Sequence, residues 1–259
     1  MLRKEKNGIV YFEFEHLAKT ELVDHCFSTR MGGISKPPYD TMNLAYHMGD
    51  SKADVDENFR LLCEAVGFDY QKIVMTDQIH GQNAHVVENL TKPEVADGLI
   101  TGISGFVLTS YYADCVPIFI LDPVKKVIAT VHAGWRGVAT DVMGKAIVKM
   151  MRTFDCQIKD LLVGIGPAIS MNHFEVGKEV ADEIWSHMTS SEACRIQKPE
   201  DKWQLDLSKI IYERLIRFGV LEKNIEVSDL CTFANPELFF SHRRDGVARG
   251  NMAAMIALR

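Results

Sequence analysis

Several things are missing from this chain of 259 residues, and each absence narrows what it can be. No apolar run approaches the ~20 residues that a membrane-spanning helix needs; the longest, such as 252–258, stop far short. The charged start Met1-Leu2-Arg3-Lys4-Glu5-Lys6 is followed by no apolar stretch of the kind an export leader carries, so the expected location is the cytoplasm. Cys26, Cys63, Cys115, Cys156, Cys194 and Cys231 include no Cys-x-x-Cys pair. Scattered in this way, and without an export signal, they read as reduced thiols. Cations are in deficit, with 29 Lys and Arg against 35 Asp and Glu for a net charge of −6. That balance argues against nucleic acid or an anionic membrane as partner. No Gly-x-Gly-x-x-Gly or phosphate-loop pattern follows a strand-like run, and no repeat, low-complexity stretch or linker divides the chain.

What is present is an ordinary globular composition, 47% apolar and 25% charged. A chain of this length buries about 70–75% of its unfolded surface and needs no disulfide staple. Alternation at period two predicts a strand over 10–17. A second strand, 25–29, leads into the turn Arg30-Met31-Gly32-Gly33, which presents Arg30 beside glycine as a candidate anion ligand. Val55, Phe59, Leu62, Cys63 and Val66 recur at helical spacing, so 52–67 is expected as an amphipathic helix ended by Gly67. Short apolar runs at 73–76, 84–87, 99–101, 106–109, 116–121 and 127–131 form the densest group of strand candidates. Helices are expected over 138–154, 176–187 and 205–218. Further strands are expected at 161–165, 225–227, 238–240 and 252–258, and a mobile loop at 190–202. Strands and helices mix without a regular βαβ rhythm, which predicts one α/β (α+β) domain over 1–259, with mixed sheets covered by helices.

Three polar islands lie within the dense strand region: Asp77-Gln78-Ile79-His80-Gly81, Ala113-Asp114-Cys115, and His132-Ala133-Gly134-Trp135-Arg136-Gly137. His80, Cys115 and His132 are a borderline-soft donor set of the kind that holds catalytic zinc through three protein ligands and leaves one position open. Their separations are too long for a zinc finger and suit ligands projected from several strand ends. Asp114 or Asp77 could orient a ligand histidine or accept a proton. The glycines of the third island let a substrate approach the backbone, and Arg136 stands where an anion would meet the start of the long helix. The same residues support a second reading, with Cys115 as nucleophile, His132 as base and Asp114 or a carbonyl as orienter, in a cysteine hydrolase or deamidase. A third is a non-catalytic metal-binding protein. A last polar patch, Phe240-Ser241-His242-Arg243-Arg244-Asp245, follows an apolar run and either lines a pocket or forms a solvated turn.

These islands, with Ser28-Thr29-Arg30, Asn43-Leu44, Gly49-Asp50, Glu57-Asn58, Ala96-Asp97, Gly164-Ile165-Gly166-Pro167 and Cys231-Thr232, resemble the laccase-domain family of YfiH/YlmD type over nearly the whole chain. The resemblance implies two packed mixed β-sheets flanked by helices and a zinc site at His80, Cys115 and His132. It implies phosphorolysis of purine nucleosides, with deamination of adenosine and cleavage of methylthioadenosine as further reactions. Arg30, Asn43, Gln78, Arg136, Ser241, His242, Arg243 and Arg244 are the expected contacts to nucleoside and phosphate. A departure from the family pattern falls at Arg249-Gly250-Asn251, where Gly-Arg is usual. The family's oxidase label meets an obstacle in the residues. A multicopper oxidase needs about ten histidines, many of them in His-x-His pairs; this chain has 9 and no such pair. A single copper in place of zinc is the most that the donor set allows.

Overall fold

The computed structural model describes residues 1–90, 94–186 and 194–259. Strands β1 (Leu2–Lys6), β2 (Ile9–Glu13) and β3 (Val23–Ser28) open the chain, with the single helical turn α1 (Glu15–Ala18) between the last two. Helix α2 (Lys52–Val66) is capped by Ser51 and closed by Gly67 at φ 103°, a left-handed position that suits glycine. Next come β4 (Ile73–Asp77), β5 (Ala84–Val86), β6 (Glu94–Val95), β7 (Gly98–Thr101), β8 (Val107–Tyr112), β9 (Val116–Asp122) and β10 (Val127–Ala133). Short helix α3 (Trp135–Ala139) precedes α4 (Val142–Phe154), β11 (Leu162–Ile165), β12 (Glu175–Gly177) and α5 (Lys178–Ser186). The last elements are β13 (Arg195–Gln197), β14 (Lys202–Leu205), α6 (Leu207–Phe218), β15 (Ile225–Val227), α7 (His242–Asp245) and β16 (Met252–Leu258).

Two mixed sheets carry the fold. One has the order β1-β2-β3-β16-β8-β4-β6 and the other β15-β11-β9-β10-β7-β5; a small third sheet, β12-β14-β13, lies apart. Alternation along the strands sorts side chains into layers. Phe119 and Leu121 of β9 join Phe14, Phe27, Leu108, Tyr112 and Ile256 in one core. Ile118 and Ile120, from the same strand, join Ile147 and Met150 of α4 and Ile210 of α6 in a second. A third core sets Phe59, Leu62 and Cys63 of α2 against Tyr11, Cys26 and Met255. Each fully buried Phe or Leu side chain contributes roughly 1.5–3 kcal/mol. Among the described residues no helix is long and apolar enough to cross a membrane.

Five expected elements differ. The first strand stops at Glu13. The Phe14 N–H leaves the ladder to donate to His25 Nε2 at 2.8 Å, and α1 begins although the apolar alternation continues. The long helix starts at Val142, because Asp141 sits at φ 59° and caps it through Gly144 N–H. Residues 238–240 form no strand: the N–H groups of Leu238 and Phe239 turn back to the Asn235 carbonyl, and the buried Phe240 donates its N–H to Met252 Sδ. The expected mobile loop contains β13 and part of β14, with its residues 190–193 outside the described set; likewise 176–177 belong to β12 rather than to α5.

Candidate metal centre

The first island is a turn at the end of β4. Gln78 ties it to β8: its Nε2 donates to the Tyr111 carbonyl at 3.0 Å, and the Tyr111 N–H donates to Oε1 at 2.7 Å. His80 has φ 56°, a backbone region that costs a non-glycine residue roughly 1–2 kcal/mol. Asp97 holds it there. The buried carboxylate accepts from His80 N at 3.0 Å and from Gly81 N at 2.6 Å. The second island is the tight turn from β8 to β9, where Asp114 adopts φ 93° and Cys115 follows. His132 lies on β10 opposite Pro117 of β9, with its ring 5.4 Å from that of Tyr112.

The fold brings the three side chains together. Ligand atoms of His80, Cys115 and His132 lie within 4.8 Å of one another, and the two imidazoles meet edge to face. Gly134 keeps the site open, because a Cβ there would stand 2.9 Å from His80 Cδ2 and 3.1 Å from Cys115 Sγ. Such a group could hold a metal ion, with His80 exposed, Cys115 half-buried and His132 buried.

Asp97 also sets the tautomer. Its Oδ1 is 2.9 Å from His132 Nδ1, and its main-chain carbonyl accepts from His132 N at 2.6 Å. With the Nδ1 proton committed to a carboxylate, the Nε2 lone pair is left for a ligand role. Burial opposes ionisation of Asp97. Hydrogen bonds from His132 and Gly81 outweigh it and keep the carboxyl below the usual range. Burial likewise pushes the Cys115 thiol up, but His132 and His80 more than offset this and bring it to about 6. His132, lowered by burial, is carried to about 9 by Cys115 and Asp97. Both shifts favour the Cys115 thiolate over the thiol, and the thiolate is the form that binds metals and attacks electrophiles.

Asp114 and Asp77, the acids expected to orient a histidine, make no hydrogen bond to His80 or His132 among the described residues, where Asp97 takes that place. The Asp114 carboxylate accepts from Thr232 Oγ1 at 2.6 Å, Ser241 Oγ at 3.0 Å and Arg243 N at 2.7 Å. It braces the cysteine turn against the segment that carries α7. Asp77 is exposed at the end of β4. Asp97 was the residue to find. Its Ala96-Asp97 signal was visible, but its nearness to His132 comes from β7 pairing with β10.

His80 and Cys115 open into a cavity of about 380 Å3, with His132 buried behind them. Ile169, Phe174 and Leu207 form an apolar wall, Arg136, Arg243 and Arg249 supply cations, and His242 adds an imidazole. Of the expected substrate contacts, Arg136, His242 and Arg243 line this cavity. Arg136 lies over the Trp135 ring at 4.2 Å, in the five-residue α3 and not at the start of the long helix as expected. The other five serve the frame. Arg30 donates to the Asp40 and Pro236 carbonyls and stacks on Phe240. Arg244 donates to the carbonyls of Thr232, Phe233 and Phe239. Asn43 bridges Asp50, Ala45 and Asn251. Ser241 caps α7 and donates to Asp114, and Gln78 is spent on Tyr111. Arg249, which the sequence left without a role, is in the wall.

Fold and site together define an α+β protein of two mixed sheets with a His-Cys-His group at a cavity between strand ends. The family described as multi-copper polyphenol oxidoreductase laccase matches residues 24–259, and the chain belongs to that family. Its relatives include proteins named purine nucleoside phosphorylase. YlmD of Bacillus subtilis is 31% identical, covering 90% of this chain and 87% of that one. YfiH of Shigella flexneri is 36% identical, covering 90% and 93%. The crystal structure of YlmD from Geobacillus stearothermophilus superposes with a TM-score of 0.92 at 31% identity, covering 99% of this chain and 98% of the other. The names of these relatives support a purine nucleoside phosphorylase-like function at the level of the family.

Proposed function

We propose that this chain is a zinc-dependent purine nucleoside phosphorylase, which transfers the ribosyl group of adenosine, inosine or guanosine to inorganic phosphate. The observation that carries the reading is the arrangement of the cavity. A Cys-His-His donor set with an oriented imidazole lies at a pocket that is apolar on one side and cationic on another. Its volume falls in the range of small-molecule sites, about 300–1,000 Å3. The donors fit zinc, whose catalytic sites combine three protein ligands with an open position. Bound there, zinc supplies a Lewis acid and lowers the pKa of a coordinated oxygen donor. Multicopper chemistry does not fit. Among the described residues His80, Cys115 and His132 are the single group of this kind, and a blue-copper centre plus a trinuclear cluster needs several.

The remaining steps belong to the protein. Phe174, Ile169 and Leu207 offer an apolar face for the purine, and Gly134 leaves room for the ribose near the donors. Arg136, His242 and Arg243 face the incoming anion. A phosphate oxygen forms a bond to C1′, the C1′–N9 bond breaks, and the base departs with its bonding electrons and a proton from hydrogen phosphate. Deamination of adenosine at C6 and cleavage of methylthioadenosine are proposed as further reactions of the same cavity.

Product analysis tests this reading. Adenosine with phosphate is expected to give adenine and ribose 1-phosphate. Cys115→Ser and His132→Ala should lose both zinc and turnover. If adenosine yields inosine in water and no ribose 1-phosphate in phosphate, phosphorolysis is wrong and deamination stands. The depressed Cys115 thiol supports a second reading, a cysteine hydrolase with His132 as base. That reading replaces the first if zinc-free protein is fully active and alkylation of Cys115 abolishes the activity.

A further inference from the structure

Of Arg136, His242, Arg243 and Arg249 in the cavity wall, three have partners or solvent. Arg136 is exposed and stacked on Trp135. Arg243 spends Nη1 on the Glu175 carbonyl at 2.8 Å and lies over Phe174. His242 is exposed. Arg249 differs. Its Nε is buried with no hydrogen-bond partner, and the contact made by its Nη1 is to the Met48 thioether at 3.7 Å, a weak acceptor. Among the described residues it forms no ion pair. The nearest acid in the wall, Asp114, already accepts three hydrogen bonds from Thr232, Ser241 and Arg243.

The backbone fixes this placement. A Cβ at residue 250 would stand 2.5 Å from Phe240 Cζ and 3.0 Å from Asn43 Cβ, so that position accepts only glycine. Asn251 is locked to the loop that carries Asn43: its N–H donates to Asn43 Oδ1 at 3.0 Å, and its carbonyl accepts from Leu44 N at 3.1 Å. Held by these neighbours, Arg249 is the residue of this stretch whose side chain lines the cavity. A guanidinium desolvated beside the ligand cysteine, with donors left over, is an incomplete structure until an anion arrives. Its planar fork matches two oxygens of a tetrahedral oxyanion.

We propose that Arg249 is the principal anchor for the free phosphate co-substrate, holding it against the cavity wall beside Cys115. The assignment rests on the phosphorolysis reading and deepens it. Arg136 and Arg243 then add charge at the rim, while Arg249 supplies the directional hydrogen bonds.

The test uses the zinc-loaded full chain with inorganic phosphate as probe, titrated calorimetrically, and the phosphate KM measured at saturating inosine. Arg249→Met should weaken phosphate about 10–100-fold, the span expected for lost charge-assisted hydrogen bonds. Zinc content and inosine affinity should stay within about twofold of wild type, on the same reasoning that only the anion contact is removed. Arg249→Lys should recover part of the loss, since it restores charge without the fork. Phosphate binding by Arg249→Met within about twofold of wild type overturns the proposal. So does an equal loss of inosine and phosphate affinity, or wild-type protein that binds no phosphate. Adenosine 5′-monophosphate is titrated in parallel; a larger loss for that nucleotide than for phosphate overturns the assignment to free phosphate. If wild type binds phosphate through Arg249 and still forms no ribose 1-phosphate, the anchor stands and the phosphorolysis reading falls.

Discussion

Replacing Asp97 by Asn is the sharpest probe of the metal centre, because it changes charge and one donor–acceptor pattern while keeping shape. The wild-type carboxylate accepts from His132 Nδ1 at 2.9 Å, His80 N at 3.0 Å and Gly81 N at 2.6 Å. An amide offers one oxygen, so its NH2 must face a buried donor whichever way it is turned. The cost of stranding that donor is about 1–3 kcal/mol of folding stability. The effect on the metal is separate. With the carboxylate gone, nothing fixes the His132 tautomer or steadies the strained His80 turn, and zinc affinity should fall about 10–100-fold. Chelator competition measures the affinity, and urea unfolding with and without zinc measures the stability. Since the Asp97 carboxyl lies below the usual range, its contribution is present above about pH 3.9 and is lost only in stronger acid. Neutral pH is therefore the right place for both assays. Asp77→Asn, at an exposed site, should change neither quantity. Zinc binding by Asp97→Asn within twofold of wild type would falsify the orienting role.

Two further predictions follow from local geometry. Gly134→Ala should fold but lose most zinc affinity, because the added methyl meets His80 and Cys115 at about 3 Å; metal analysis beside a thermal melt checks this, and a fully zinc-loaded variant refutes it. His25 is buried and neutral, lowered by burial to about 3 while it accepts the Phe14 N–H. The unfolded chain binds the extra proton first, so this histidine's contribution is complete above about pH 6.5 and is lost as pH falls towards 3. His25→Gln should flatten that part of the stability–pH curve, and an unchanged slope contradicts the assignment.

The ligand residues were legible because apolar β-runs end abruptly in polar islands, and strand ends are where a sandwich can gather side chains from distant positions. Their partner Asp97 was not legible as a partner. Only the pairing of Gly98 with Val131 puts it beside His132, and period-two alternation is silent about which strands become neighbours. The arginines failed for a different reason. Arg30 and Arg244 have the same local chemistry as Arg249, yet two are consumed by main-chain carbonyls and one is not. That distinction depends on which loops pack together. The strand and helix boundaries at Phe14 and Asp141 were missed because single residues, a donor to His25 and a left-handed cap, override the apolar pattern that runs through them.

The place of β16 in its sheet also sets an order of events during synthesis. This strand lies between β3 and β8, pairing antiparallel with both. A nascent chain that has not yet released residues 252–258 from the ribosome carries two separate half-sheets with facing unpaired edges. Arg249 lies just ahead of that strand, and the Ser241 and Arg243 groups that brace the cysteine turn precede it by only a few residues. Completion of the group that could hold a metal is thus coupled to insertion of β16 and not to the earlier formation of the turns that carry His80, Cys115 and His132.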